Sequence, residues 1–240
     1  EIYTWRYTLS LHDALPISEE TVEAIRSWYG GDPQDVAQLE AWETLPHERL
    51  SPRADTVASR MAVFRRLKHP EEGNAMFGPI RILVMPVRSL IQPVVAGLGD
   101  IEPLVFTQGE ELALDEASRR LVESAYTRVD LVMDRGEFAV RGGIIDVFPP
   151  TLPHPVRIEF FGDEIDAIKQ FHASDPRTYG EPLDSVWATP CRELQLTDAV
   201  RDRAKSLIGS IPNAEDMLES IANAIAVEGM ESLLPALVDD

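Results

Sequence analysis

One short segment carries the side chains best suited to recognising another protein. Val156 to Phe161 (VRIEFF) alternates in character, and an extended chain points successive side chains to opposite faces. Val156, Ile158 and Phe160 then make an apolar face for the core. Arg157, Glu159 and Phe161 fall on the other, wet face. A phenylalanine held in water asks for a partner, and arginine with an aromatic is the composition of an interface anchor. The pattern leaves a second reading open, in which a neighbouring helix covers Phe161 while Arg157 and Glu159 pair. Arg141, offset from Phe138 and Val140, joins this face only if its strand pairs with Val156 to Phe161. Otherwise it is an ordinary surface arginine.

Residues for catalysis do not assemble in the sequence. A phosphate-binding loop needs glycine N–H groups followed by Lys and Ser or Thr, and no Gly-Lys dipeptide occurs. Asp115-Glu116-Ala117-Ser118 mimics the magnesium-holding acidic box of helicase motors, but it opens an amphipathic helix and reads as a helix start. No Gly-x-Ser-x-Gly elbow or His-Glu-x-x-His helix appears. The single cysteine, Cys191 between Pro190 and Arg192, reads as structural, and the five histidines lack metal spacing. No catalytic residue, cofactor or metal ligand is expected here.

The net charge of −19 repels phosphate backbones unless the cations cluster. That disfavours a standalone DNA-binding domain and favours a protein partner with a basic face. The apolar stretch Ile80 to Met85, which Arg81 interrupts, is far below the roughly 18 residues of a membrane span. With one cysteine and no secretory signal, a cytoplasmic protein is expected.

The elements that would position these side chains read as follows. Glu1 to Ser18 (EIYTWRYTLSLHDALPIS) has no clear period and resembles the conceptual translation of a short-read sequencing adapter. It is set aside as non-native, and the His12-Asp13 pair with it. Helices are predicted over 19–29 and from a cap at Asp55 to His69-Pro70, with a loop over 41–55 between them. Ile80 to Met85 reads as a strand covered on both faces, followed by a short helix over 87–91. A composition change near 97–103 suggests a domain boundary. Beyond it come a helix capped by Asp115 with Leu121, Val122 and Ala125 as its stripe, and an alternating strand through Val129, Leu131 and Met133. A long strand over 138–148 follows, whose Gly142-Gly143 suggests a bulge or a close backbone approach, then a hairpin of 156–161 and 165–171 about Gly162-Asp163. A Pro-rich connection spans 175–190. Helices over 199–208, capped by Asp198, and 214–226 complete the chain.

The segments AYTRVDLVMDRGEFAVRGGIIDVFPP, PVRIEFFGDEIDAIKQF and SDPRT resemble the UvrB-homology region of the bacterial transcription–repair coupling factors. AWETLPHERLSPRADTVASRMAVFRRL, PVRSLIQP and VEGMESLLPAL fit the same family, so the resemblance runs from Glu19 to Asp240. It implies an α/β body, made of an incomplete domain 1A (19–102) and the start of domain 1B (191–240). Between them lies an inserted α+β domain 2 (103–190) with an antiparallel sheet. The family's contact with the repair protein UvrA falls on Arg141, Arg157 and Phe161, with Asp163 as a weaker candidate. The resemblance also implies a parent that is an ATP-driven DNA translocase acting on stalled RNA polymerase. Its ATP- and magnesium-binding motor, and its contacts to polymerase and double-stranded DNA, would lie outside this segment, and the start of domain 1A would be missing. A fragment of UvrB is the alternative, but 42–55 has no room for the long aromatic hairpin that UvrB requires.

Overall fold

A computed structural model describes residues 14–45, 48–74, 77–173 and 175–238, with backbone alone at 14–18, 175 and 176. His12 and Asp13 lie outside the described residues. In chain order the helices are α1 (Ala14–Trp28), α2 (Ala54–Lys68), α3 (Val87–Ile91), α4 (Leu114–Glu123), α5 (Asp198–Leu207), α6 (Glu215–Ala222) and α7 (Leu234–Leu237). The strands are β1 (Val36–Gln38), β2 (Ile82–Val84), β3 (Leu104–Thr107), β4 (Thr127–Arg128), β5 (Glu137–Arg141), β6 (Ile144–Val147), β7 (Val156–Phe161), β8 (Glu164–His172), β9 (Asp175–Tyr179) and β10 (Ser185–Ala188). The molecule is a mixed α/β structure in which an antiparallel sheet dominates the middle of the chain.

That sheet runs in the order β4-β5-β6-β7-β8-β9 and is antiparallel except for the β4–β5 pair. Its register aligns Phe138, Val147 and Val156 in one row, and Val140, Ile145, Ile158 and Ile168 in the next. This face packs against α4 through Ala117 and Leu121, and against Leu104 and Phe106 of β3 and Val186 and Ala188 of β10. The strands leading into and out of this unit pair with each other, Leu104 opposite Ala188, so both ends of the segment leave it side by side.

The flanking segments form smaller cores. β1 and β2 pair in parallel under α2, where Val57, Met61 and Val63 are buried. Farther along, α5, α6 and α7 enclose Leu218, Ile221, Met230 and Leu234 around Trp42 and Leu194. Arg60 of α2 ties these parts together and is fully buried with Glu193. Its Nε donates to Glu193 Oε1 at 2.5 Å, and the Trp42 indole donates to the same oxygen at 2.9 Å. Arg60 Nη1 donates to the Glu40 carbonyl at 2.6 Å.

Local differences from the sequence expectations have physical causes. The predicted long strand over 138–148 is a hairpin: Arg141 pairs with Ile144 across a two-residue turn, and Gly142 has φ +58°. Val129, Leu131 and Met133 do not alternate into a core. Leu131 and Met133 are exposed, while Val132 is buried against Ala139, Phe148 and Phe171. The connection over 175–190 holds β9 and β10, since Pro in an edge strand or at a strand start is tolerated. The first helix, expected from residue 19, begins at Ala14, and the caps of α2, α4 and α5 lie one or two residues before the expected ones. Arg53, Ala113 and Thr197 are the caps, and Asp55, Asp115 and Asp198 sit in the first turns, where carboxylates favour the helix dipole. Val122 is exposed, and Ala125 lies beyond α4 at φ +63°. β2 is only partly buried, not covered on both faces.

Two outcomes follow. Arg60→Met leaves the Glu193 carboxylate buried without its cation and lowers stability by roughly 3–5 kcal/mol. Adding Glu193→Gln, which keeps an acceptor for Trp42, recovers part of the loss, as urea midpoints will show. Burial pushes the Cys191 thiol up to about 12 despite the Tyr126 hydroxyl and Arg192 nearby, so at neutral pH it stays protonated and unreactive. A chromogenic disulfide reagent should titrate no thiol in the folded chain and one after unfolding.

Candidate functional site

The second face of the six-stranded sheet is built by the same register. Ala139, Asp146, Arg157 and Lys169 form one row, and Arg141, Ile144, Glu159 and Ala167 the next. Phe161, opposite Glu164, ends the face at the β7–β8 tip. A bulge opposite Glu159–Phe160 absorbs one extra residue of β8, so β7 keeps its alternation through Phe161. Arg141, Arg157 and Phe161 therefore share one pleated surface, within roughly 13 Å of one another by strand spacing.

At one end of this face the 129–134 loop folds over it and buries Val132 on Ala139, Phe148 and Phe171. The other end is open. Phe161 is 83% exposed, and among the described residues no helix covers it. Two hairpin tips, Gly142-Gly143 and Gly162-Asp163, stand side by side there, and Phe160 N–H donates to the Gly143 carbonyl at 2.8 Å. Gly162, at φ +64°, makes the tight turn that Phe161 needs to end its strand in water. The tip is braced from behind: Leu112 N–H donates to the Asp163 carbonyl at 2.7 Å, and Ile165 N–H to the Glu110 carbonyl at 3.0 Å.

The four expected residues differ in environment. Arg141 is exposed, and its Nη2 donates to the Asp130 carbonyl. Asp163 is exposed in the β7–β8 turn. Arg157 does not pair with Glu159. Its Nε and Nη2 donate to the two oxygens of Asp146 at 2.7 and 2.8 Å, and its guanidinium lies 5.3 Å from the Phe171 ring centroid. The Asp146 hydrogen bond raises the Arg157 pKa further, against the opposing effect of burial, so the side chain keeps its charge. Glu159 instead faces Lys169 at 3.3 Å.

Two participants escaped the sequence reading. Asp146 is only 4% exposed, and a carboxylate inside the apolar run Ile144-Ile145-Asp146-Val147-Phe148 already signals a hidden cation, because buried charges are paired. Ile144 is partly buried and lies diagonal to Phe161 on the same face, within reach of the ring. Among the described residues no cluster of three or more His, Cys, Asp or Glu side chains could hold a metal, and no helix is long and apolar enough to cross a membrane.

Residues 104–193, which hold this whole face, match the family model of the UvrB interaction domain. Over 214 residues, 85% of the chain, the sequence is 51% identical to the transcription-repair-coupling factor of Mycobacterium tuberculosis. Over this stretch the chain belongs with the transcription-repair-coupling factors. The Escherichia coli member of that family is 32% identical over 72% of the chain. A UvrABC system protein B from Leifsonia xyli is 34% identical over 68% of the chain and 24% of its own length. The chain spans 17% of the length of its mycobacterial relatives.

The environments separate the stabilities of the site variants. Phe161→Ala removes a ring that is in water already and should leave the unfolding free energy within about 0.5 kcal/mol of the parent. Arg157→Ala strands a buried carboxylate and costs about 2 kcal/mol or more. Thermal and urea unfolding of the two variants side by side will check the contrast.

Proposed function

We propose that this chain is the UvrA-recruiting module of a transcription–repair coupling factor. Phe161, exposed at the open end of a sheet inside the residues matched by the UvrB interaction domain, carries the reading. A ring so placed offers apolar area that folding leaves unused and a protein pocket can take up. Ile144 extends that area, Arg141 supplies an exposed guanidinium for acidic groups of UvrA, and Arg157 adds a second at the edge of the buried zone. Asp163, in the turn next to Phe161, has the place of a rim contact.

On this reading the segment recruits and does no chemistry of its own. The ATP- and magnesium-dependent translocation along double-stranded DNA, and the contact with stalled RNA polymerase, belong to other parts of the parent protein in the cytoplasm. The flanking elements take the roles of a partial domain 1A and the beginning of domain 1B, with 103–190 as domain 2. The coupling factor is favoured over UvrB by 51% identity across 85% of the chain against 34% across 68%.

The test is binding of the 240-residue chain to purified UvrA by biolayer interferometry. Phe161→Ala and Arg141→Ala should each weaken binding by about tenfold to thirtyfold, as truncation of an anchor does. Wild-type affinity in both folded variants would overturn the proposal.

A further inference from the structure

We infer that Asp146 is a positioning residue for docking, acting through Arg157 without touching the partner. This rests on the UvrA-docking reading above. Asp146 is 4% exposed and sits in β6, directly across from Arg157 in β7. Both of its oxygens are engaged by the Arg157 Nε and Nη2 edge, at 2.7 and 2.8 Å. The Phe171 ring supports the guanidinium from a second direction, its centroid 5.3 Å away. A long arginine side chain on an open strand would sample many rotamers and lose them on docking. Here that ordering is completed on folding, and the guanidinium meets a partner in one fixed orientation.

The pair also decides what kind of contact Arg157 makes. Asp146 offsets its charge within the fold, so Arg157 contributes direction, whereas the exposed Arg141 contributes attraction. The two roles predict opposite signs for one substitution. Asp146→Asn keeps the size of the side chain and one acceptor oxygen, but it unmasks a positive charge. If Arg157 worked as a bare charge toward acidic groups, Asp146→Asn would tighten binding. As a positioning residue, Asp146 is required, and its loss weakens binding.

The experiment is a double-mutant cycle with UvrA on the 240-residue chain, using Asp146→Asn, Arg157→Ala and the double variant. The expected result is a weakening of about tenfold for Asp146→Asn, with no further loss when it is added to Arg157→Ala. Arg157→Lys, which keeps the charge without the two-pronged bond, should resemble Arg157→Ala. A protected Arg157 Nε–H resonance in the NMR spectrum of the parent chain should vanish in Asp146→Asn, while the Phe148 and Phe171 ring signals persist. Binding by Asp146→Asn as tight as the parent's, or a loss that persists in the Arg157→Ala background, overturns the inference while leaving docking intact. Absence of a protected Arg157 Nε–H in the parent does the same. No binding of UvrA by the parent chain overturns the docking reading itself, and the role of Asp146 with it.

Discussion

A carboxylate enclosed in the middle of a sheet must meet a cation, and that requirement organises this molecule. Asp146 can satisfy it on only one side of the six-stranded sheet, where the register brings Arg157 opposite. A slip of one residue between β6 and β7 would put Asp146 and Arg157 on opposite faces of the sheet and leave one of the two charges in the apolar core. The ion pair therefore helps to specify which side of β7 is wet. Phe161, four residues beyond Arg157 on the same strand, is committed to water by the same alternation. The exposure of the ring is thus a consequence of pairing in the sheet interior, where a charge cannot be left alone.

Rigidity of the open face comes from the way the unit is tied to the rest of the chain. β3 and β10 pair antiparallel where the segment departs and returns, and Phe77, between α2 and β2, packs on Trp187 with ring centroids 4.8 Å apart. A few residues on, Glu193 joins Arg60 and Trp42 in a buried cluster. Chain immediately outside the sheet is anchored on both sides, so the unit does not hang from a loose pair of linkers. At the opposite end, backbone bonds from the 110–112 segment brace the β7–β8 tip. The apolar anchor sits at the end of a hairpin, yet the hairpin is held along its back, which preorganises it for a partner.

How much of this could be read from the sequence depended on how local the signal was. The face of β7 was legible because strand alternation is a property of the residues themselves. The hairpin turn at Gly162-Asp163 was legible because the turn is glycine-marked and flanked by alternating residues. The turn at Gly142-Gly143 was misread as a bulge: apolar runs on both sides of it look like one strand, and only the return of β6 onto β5 separates them. The partner of Arg157 was missed for a related reason. Glu159, two residues away on the same strand, suggested itself, but i and i+2 side chains of a strand lie farther apart than cross-strand neighbours. The buried strip under the 129–134 loop depended on Val132, which is hidden in sequence by the louder alternation of Leu131 and Met133.

The chain's acidity bears on how such a face can work. Glu110, Glu111, Asp163 and Glu164 are all exposed near the β7–β8 tip, and Glu159 and Lys169 hold each other at 3.3 Å in mid-face. A net charge of −19 gives no general pull toward an acidic partner. On the docking reading proposed above, attraction to acidic groups through Arg141 acts over a short range, inside a field of opposite sign. Such mixed edges contribute more to orientation and discrimination than to affinity, because a misplaced partner meets like charge at the tip while a correctly placed one meets the arginine. Affinity then has to come from desolvating the ring of Phe161 and the flank of Ile144. An apolar anchor at the tip of a face, with a mosaic of charges around it, is selective for position first, which suits the recruiting role proposed above.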